Sequence, residues 1–163
     1  MYGAILLGGG INVARVVRRL GGNSQALYTA GGAAGRLLHR LLEEEGVTSI
    51  LVEVGADTRE SFTVLDESNG DQFRFVLPGD ALTNEEWRAC LDQLLHLPQP
   101  PTYIVASGKS LPPGVPEDFY ARIARVARSL DAHLVVDTAG PALAAALEEG
   151  VHLVKPNLRE LRF

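Results

Sequence analysis

The sequence has 163 residues, 46% of them hydrophobic, and a formal net charge of −5. This length and composition predict one globular domain with a sizeable core, or part of a larger one. The acidic balance argues against a nucleic-acid partner, and no apolar run reaches the length of a membrane span, so we expect no membrane partner.

Helices and strands alternate in the first third of the chain. Apolar residues at helical spacing predict a helix over 11–20, which Gly21 and Gly22 end. A short strand over 25–30 follows, then a helix over 33–46 and a strand over 48–54. The residues of the second helix that we expect to face inward are Leu37, Leu38, Leu41 and Leu42.

The next segment changes to β character. Two β-rich runs within 61–77 flank Asn69-Gly70, a dipeptide typical of hairpin turns. Phe73 and Phe75 are predicted on one face of the second strand. A hairpin is an insertion in an alternating α/β pattern, so we expect it, with about 58–78 as its bounds, to project as a flap.

Alternation resumes after the hairpin. Helices are predicted over 83–97, with Thr83 as N-cap, over 117–130 and over 141–150, and strands over 102–107, 132–138 and 151–156. The single cysteine, Cys90, is predicted to be a core residue, which fits a reducing cytoplasm. The whole pattern predicts an α/β fold with a mostly parallel sheet flanked by helices.

Candidate site residues follow the strands, because ligands of open α/β sheets bind at the carboxyl ends of the strands. The run Gly8-Gly9-Gly10 with Asn12 suits an anion or sugar at a helix N-terminus, or is a tight loop capped by Asn12. The sequence matches neither a dinucleotide fingerprint nor a P-loop.

Three further loops carry polar side chains, and each has a plain structural alternative. Ser107 and Ser110 lie in a Gly/Pro loop that is a site or an ordinary connection. Asp137 is a helix cap or a carboxylate near a metal. After the last strand, Lys155, Asn157 and Glu160 form a capping arrangement or contact a metal–phosphate unit.

Seven blocks in order carry a resemblance to a known family. The chain resembles the PfkB/ribokinase superfamily of carbohydrate kinases, nearest to its bacterial minor 6-phosphofructokinase and 1-phosphofructokinase branch. The blocks are GGGINVAR, AGGAAGRLL, TRESFTV, FRFVLPG, SLPPGVP, VVDTAGPAL and VKPNLREL. The resemblance implies a ribokinase-like fold and ATP-dependent phosphorylation of a sugar phosphate, with fructose 6-phosphate favoured and ATP and Mg²⁺ as cofactors.

The resemblance also implies roles for individual residues. It assigns sugar-phosphate binding to Gly8, Gly9, Gly10, Asn12, Arg59 and Ser110, ATP phosphates to Lys155 and Asn157, and magnesium to Glu160 with Asp137. It makes the hairpin a lid that closes the pocket and pairs with the lid of a second copy in a homodimer.

The sequence departs from the family pattern in two ways. Lys109 stands between Ser107-Gly108 and Ser110, where the family usually reads Ser-Gly-Ser-Leu-Pro-Pro, so the loop before Ser110 is expected to be shifted. The family's base, the Asp of a Gly-Ala-Gly-Asp motif, and its N-terminal hairpin region have no match.

We therefore expect 1–163 to be a partial domain, truncated at both ends and without a catalytic residue of its own. The alternatives are a non-catalytic module that binds sugar phosphate or dimerises, and an α/β domain without a ligand. We also expect the isolated chain to be oligomeric or poorly soluble.

Overall fold

A computed structural model describes residues 2–6, 8–108 and 110–155, and these form eight strands and five helices. In chain order they are β1 (Tyr2–Leu6), α1 (Gly8–Arg19), β2 (Asn23–Ala30), α2 (Gly32–Glu44), β3 (Ser49–Glu53), β4 (Ser61–Leu65), β5 (Gln72–Val76), α3 (Asn84–Leu95), β6 (Tyr103–Ser107), α4 (Phe119–Ser129), β7 (His133–Asp137), α5 (Gly140–Glu149) and β8 (Leu153–Val154).

Six of the strands form one parallel sheet in the order β3-β2-β1-β6-β7-β8. The α/β architecture expected from the alternating pattern is confirmed. Strand β1 lies between β2 and β6, and sequence reasoning did not predict it. Its apolar run has no alternation of apolar and polar residues. A strand of a parallel sheet whose two faces are both covered by helices needs no such alternation.

The helices cover both faces of the sheet. Ile11 of α1 and Leu42 of α2 pack with Tyr28 of β2 in one buried cluster. The neighbouring Leu27 points the opposite way and belongs to a larger cluster that includes residues of α3, α4 and α5. Successive strand residues face opposite sides, so the two clusters are two cores separated by the sheet.

Two of the four leucines expected to face inward from α2 do not. Leu42 is fully buried and Leu38 is partly buried, but Leu37 and Leu41 are 45% and 42% exposed. Residues adjacent in a helix point about 100° apart. The sheet covers a narrow stripe that contains Leu38 and Leu42, and the other pair lies beside it.

The predicted hairpin is present as a separate two-stranded antiparallel sheet. Its turn places Gly70 at φ +79°, where a side chain would be strained. Phe62 pairs with Phe75, their rings stack with centroids 4.9 Å apart, and Val64 pairs with Phe73 on the same face. Every residue of both strands is exposed.

Helix α3 begins as predicted. Thr83 Oγ1 accepts a hydrogen bond from the Glu86 amide, and Glu86 Oε2 accepts one from the Thr83 amide, which together make a capping box. Cys90 is buried on the same helix, as expected. No helix within the described ranges is long and apolar enough to cross a membrane.

Candidate functional site

In the described part of the chain, three helices begin at the carboxyl edge of the parallel sheet, directly after their strands: α1 after β1, α2 after β2 and α5 after β7. None has an acidic residue in its first turn. The caps of α2 and α5, Gly31 and Ala139, form no side-chain hydrogen bond to the helix end. The first backbone N–H groups of these helices and the helix dipoles contribute positive partial charge at this edge, where the carboxylates of Asp57 and Asp137 also lie.

The glycine run forms the first turn of α1 instead of a loop before it, since the helix begins at Gly8. Asn12 is the fifth residue of the helix and is exposed, and its Oδ1 accepts a hydrogen bond from Arg15 Nη1 at 3.4 Å. The alternative of Asn12 as an N-cap is therefore wrong. A cap precedes the first turn, where the N–H groups lack partners.

Gly9 is in tight contact with the end of β6. A Cβ at Gly9 would lie 2.4 Å from Ser107 Oγ and 3.3 Å from the Ser107 carbonyl oxygen. Ser107 is 7% exposed. Only glycine allows the first turn of α1 to approach this serine so closely.

Ser107 connects the glycine turn to two charged groups. Its Oγ donates a hydrogen bond to Asp137 Oδ2 at 3.3 Å, and the other carboxylate oxygen lies 3.4 Å from Lys155 Nζ. Asp137 does not cap α5, because the cap position belongs to Ala139. The ends of β6, β7 and β8 thus place a hydroxyl, a carboxylate and an ammonium side by side.

The peptide of Gly108 is fixed directly beside this group. Its carbonyl accepts hydrogen bonds from Tyr120 Oη at 3.0 Å and Thr138 Oγ1 at 2.8 Å, and its amide donates to the Asp137 carbonyl at 3.0 Å. Burial raises the pKa of Tyr120 to about 12, and the protonated phenol is the donor in this bond. Sequence reasoning missed Tyr120 because its partner is a backbone group.

Ser110 and Arg59 come from two other loops of the chain. Ser110 is exposed and lines an open cleft of about 380 Å³ between the Leu111–Val115 loop and the start of α5. Arg59 is exposed at the base of the hairpin. Within the described residues, no hydrogen bond or ion pair joins either side chain to the Ser107–Asp137–Lys155 group. Lys109, Asn157 and Glu160 lie outside the described residues.

Comparison with known proteins matches residues 5–163 to the family of pfkB carbohydrate kinases. An ATP-dependent 6-phosphofructokinase isozyme 2 from Mycobacterium tuberculosis is 48% identical over 155 residues, which cover 95% of this chain and 45% of that protein. The isozyme 2 of Escherichia coli is 43% identical, with 94% of this chain and 50% of that protein covered.

The fold is similar to that of a solved structure. The tetrameric inhibited form of phosphofructokinase-2 from Escherichia coli superposes with a TM-score of 0.88 at 36% identity, over 98% of this chain and 62% of that one. The chain spans about half the length of the curated relatives it matches. On the family match over nearly its whole length, together with the parallel sheet and the glycine turn, this chain belongs to the pfkB family of carbohydrate kinases.

Proposed function

We propose that this chain forms the sugar-phosphate side of an ATP-dependent sugar kinase, with fructose 6-phosphate as the favoured substrate. The observation that carries the proposal is the contact of Gly9 with Ser107 beside Asp137 and Lys155. This arrangement sets backbone donors and an ammonium group at the sheet edge where three helices begin. The names of the 6-phosphofructokinase relatives support the substrate class.

In this proposal the phosphorylated sugar lies against the first turn of α1. The N–H groups of Gly8, Gly9 and Gly10 are the helix donors without an intrahelical partner, and they bind oxygen acceptors of the ligand. The exposed amide of Asn12 both donates and accepts, which suits sugar hydroxyls. Arg59 at the hairpin base and Ser110 in the cleft complete the phosphate contacts.

The described residues fit a magnesium–ATP unit at one corner of this edge. Mg²⁺ is commonly held by one or two carboxylates together with substrate phosphates, and Asp137 supplies one carboxylate with Lys155 Nζ beside it to face phosphate oxygens. The described residues contain no group of three or more His, Cys, Asp or Glu side chains placed to hold a metal ion by themselves. We assign Asn157 and Glu160, outside those residues, to the same unit. ATP would supply the phosphoryl group, and Mg²⁺ would offset part of its charge.

Phosphoryl transfer also needs a group that accepts the proton of the attacking hydroxyl. The 163 residues contain no Gly-Ala-Gly-Asp sequence. We therefore propose that these residues bind substrate but do not turn it over by themselves. An assay of ADP release with fructose 6-phosphate is expected to show no turnover, and measurable turnover would contradict this part of the proposal.

Binding is tested by calorimetry on the 163-residue chain. Heat is expected with fructose 6-phosphate, and none with unphosphorylated fructose, since the phosphate provides most of the contacts. Arg59→Ala should weaken binding about tenfold, the loss typical of a charge-assisted hydrogen bond. Arg40→Ala, an exposed arginine of α2, is the matched control. Absence of heat with fructose 6-phosphate, fructose 1-phosphate and tagatose 6-phosphate alike would refute the binding role.

A second candidate function, dimerisation, is favoured by the hairpin. Phe62, Val64, Phe73 and Phe75 form one apolar face of β4 and β5, and each is about half exposed. We propose that this face pairs with the hairpin of a second copy and that the hairpin acts as the lid of the site.

In the same proposal the protein acts in the cytoplasm, where its single cysteine stays reduced.

A further inference from the structure

The glycines of the second glycine-rich turn, Gly31, Gly32 and Gly35, have no role in the proposed binding of the sugar phosphate. They lie where β2 enters α2, and the loop after β3 is packed directly on them. Two reciprocal hydrogen bonds join the two segments. The Gly31 amide donates to Thr58 Oγ1 at 3.0 Å, and the Thr58 amide donates to the Gly31 carbonyl at 3.1 Å.

The contact leaves no room for side chains on the turn. A Cβ at Gly31 would lie 2.2 Å from the Val54 carbonyl oxygen, and one at Gly35 would lie 2.8 Å from Thr58 Oγ1. Gly32 has φ +66°, and a Cβ there would lie 1.7 Å from Asp57 Oδ1. The turn therefore holds the 54–58 loop by backbone contact on one side and by the Thr58 hydroxyl on the other.

The same loop has a second fixed point. The Gly55 amide donates to Glu86 Oε1 at 2.7 Å, so the capping-box glutamate of α3 holds the loop three residues before Thr58. Beyond Thr58, the described residues show no hydrogen bond that joins the 59–79 segment to the rest of the chain. Arg59 precedes β4 and Gly79 follows β5, and a Cβ added at Gly79 would lie 3.7 Å from Arg59 Cβ. All residues of β4 and β5 are exposed.

We infer that Thr58 is a positioning residue, whose paired hydrogen bonds with Gly31 hold Arg59 and the base of the hairpin at the carboxyl edge of the sheet. This inference rests on the proposed function, in which Arg59 contacts the substrate phosphate. Thr58 itself touches no ligand. Thr58 is the last residue before Arg59 that is hydrogen-bonded to the turn between β2 and α2. An arginine that is already held in place loses less conformational entropy when it binds the phosphate than a freely moving one.

The first test needs no ligand. Thr58→Val keeps the shape of the side chain but removes the acceptor of the Gly31 amide. In the variant, hydrogen exchange of that amide should be at least about tenfold faster, and the NMR order parameter of the Arg59 amide should fall. Thr58→Ser should restore both. Thr48→Val, an exposed threonine just before β3, should change neither. An unchanged Arg59 order parameter would overturn the inference.

The second test measures affinity for fructose 6-phosphate by calorimetry. Thr58→Val should weaken binding about fivefold to tenfold, which does not exceed the loss expected for Arg59→Ala. The double variant should bind with the same affinity as Arg59→Ala alone. Additive losses in the double variant, or full affinity in Thr58→Val despite the faster exchange, would show that Thr58 does not act through Arg59. If Thr58→Val does not fold, Thr58→Ala is measured in its place.

The two proposals fail in different ways. If the unmodified chain binds none of the three sugar phosphates, the proposed function is refuted, while exchange of the Gly31 amide and order of the Arg59 amide still decide whether Thr58 fixes the arginine. If the unmodified chain binds and Thr58→Val binds equally well, only the positioning role is refuted.

Discussion

Gly9 shows how a single missing side chain brings the site together. The first turn of α1 reaches Ser107 because position 9 has no Cβ. From the sequence, the glycine run predicted close backbone approach to a ligand. The structure adds that the approach is also to a serine, and Ser107 connects onward to Asp137.

We expect Gly9→Ala to displace Ser107 and break its hydrogen bond with Asp137. Insertion of a methyl group into a filled contact typically lowers the free energy of unfolding by about 1–3 kcal/mol. Urea denaturation measures the loss, and affinity for fructose 6-phosphate should fall with it. Gly55→Ala is the control, because its Cβ would meet Glu86 Oε1 at an ordinary 3.7 Å. Equal stability of Gly9→Ala and the unmodified chain would contradict the contact.

Cys90 gives a second prediction for a single residue. Burial raises the pKa of its thiol to about 12, so almost no thiolate exists at neutral pH. A thiol reagent should therefore label the folded chain slowly and the urea-unfolded chain at once. Since the chain has one cysteine, labelling also reports unfolding directly. Rapid stoichiometric labelling of the folded chain would show that Cys90 is accessible.

Periodicity predicted the amphipathic helices and the hairpin, but it could not predict which neighbours would cover them. Helix α2 illustrates the limit: four leucines suggested a broad inward face, and the sheet covers only Leu38 and Leu42. Strand β1 shows the opposite failure. Its five residues lie between two parallel neighbours, and a short uniform apolar run carries no period that identifies a strand.

The site was predictable to a similar extent. The rule that ligands bind at strand ends identified Gly9, Asp137 and Lys155, which the structure brings into one region. It could not show that Ser107, and not Ser110, joins them, because the choice depends on the path of a loop. Tyr120 and Thr138 were missed because their hydrogen bonds go to a backbone carbonyl.

The capping box of α3 predicts a pH dependence for one element. Hydrogen bonds from the Thr83 amide and then the Gly55 amide lower the pKa of Glu86 below its usual 4.5. A carboxylate whose pKa is lower in the folded state than in the unfolded state stabilises the fold at pH values above its unfolded-state pKa. This contribution is lost as the pH falls through the folded-state pKa. Glu86→Gln should therefore lower the urea midpoint at neutral pH, and less so at about pH 3.

The neighbouring glutamate supplies the control for this experiment. Glu85 lies in the same first turn and is exposed. Glu85→Gln should move the midpoint little at either pH. A Glu86→Gln effect that is the same at both pH values would show that its carboxylate charge does not stabilise the helix start.

At the scale of the whole molecule, every residue of the hairpin strands β4 and β5 is exposed, so the rest of the described chain covers neither strand. Phe62 and Phe75 are 51% and 47% exposed, and Val64 and Phe73 lie beside them. An exposed apolar face of this kind marks an interaction surface or a tendency to aggregate. The proposed homodimer would bury it.

We expect light scattering coupled to size-exclusion chromatography to give the mass of a dimer or a larger assembly. Phe62→Ser with Phe75→Ser should shift the mass toward that of one chain, because the face loses its stacked aromatic pair. Leu37→Ser with Leu41→Ser is the matched control, since these leucines are similarly exposed on α2. A monomeric unmodified chain would rule out the pairing, and a mass change in the control alone would locate the interface on α2.

The position of β1 in the sheet has a consequence for the order of folding during synthesis. The strand leaves the ribosome before the other seven described strands, and β2 and β3 can add to one of its sides early. On its other side Gly3 pairs with Tyr103, about a hundred residues later. Until that segment emerges, the nascent chain exposes an open strand edge in the middle of its future sheet. Such long-range closure is slow, so a pause in translation before residue 103 would favour chaperone capture or misassembly.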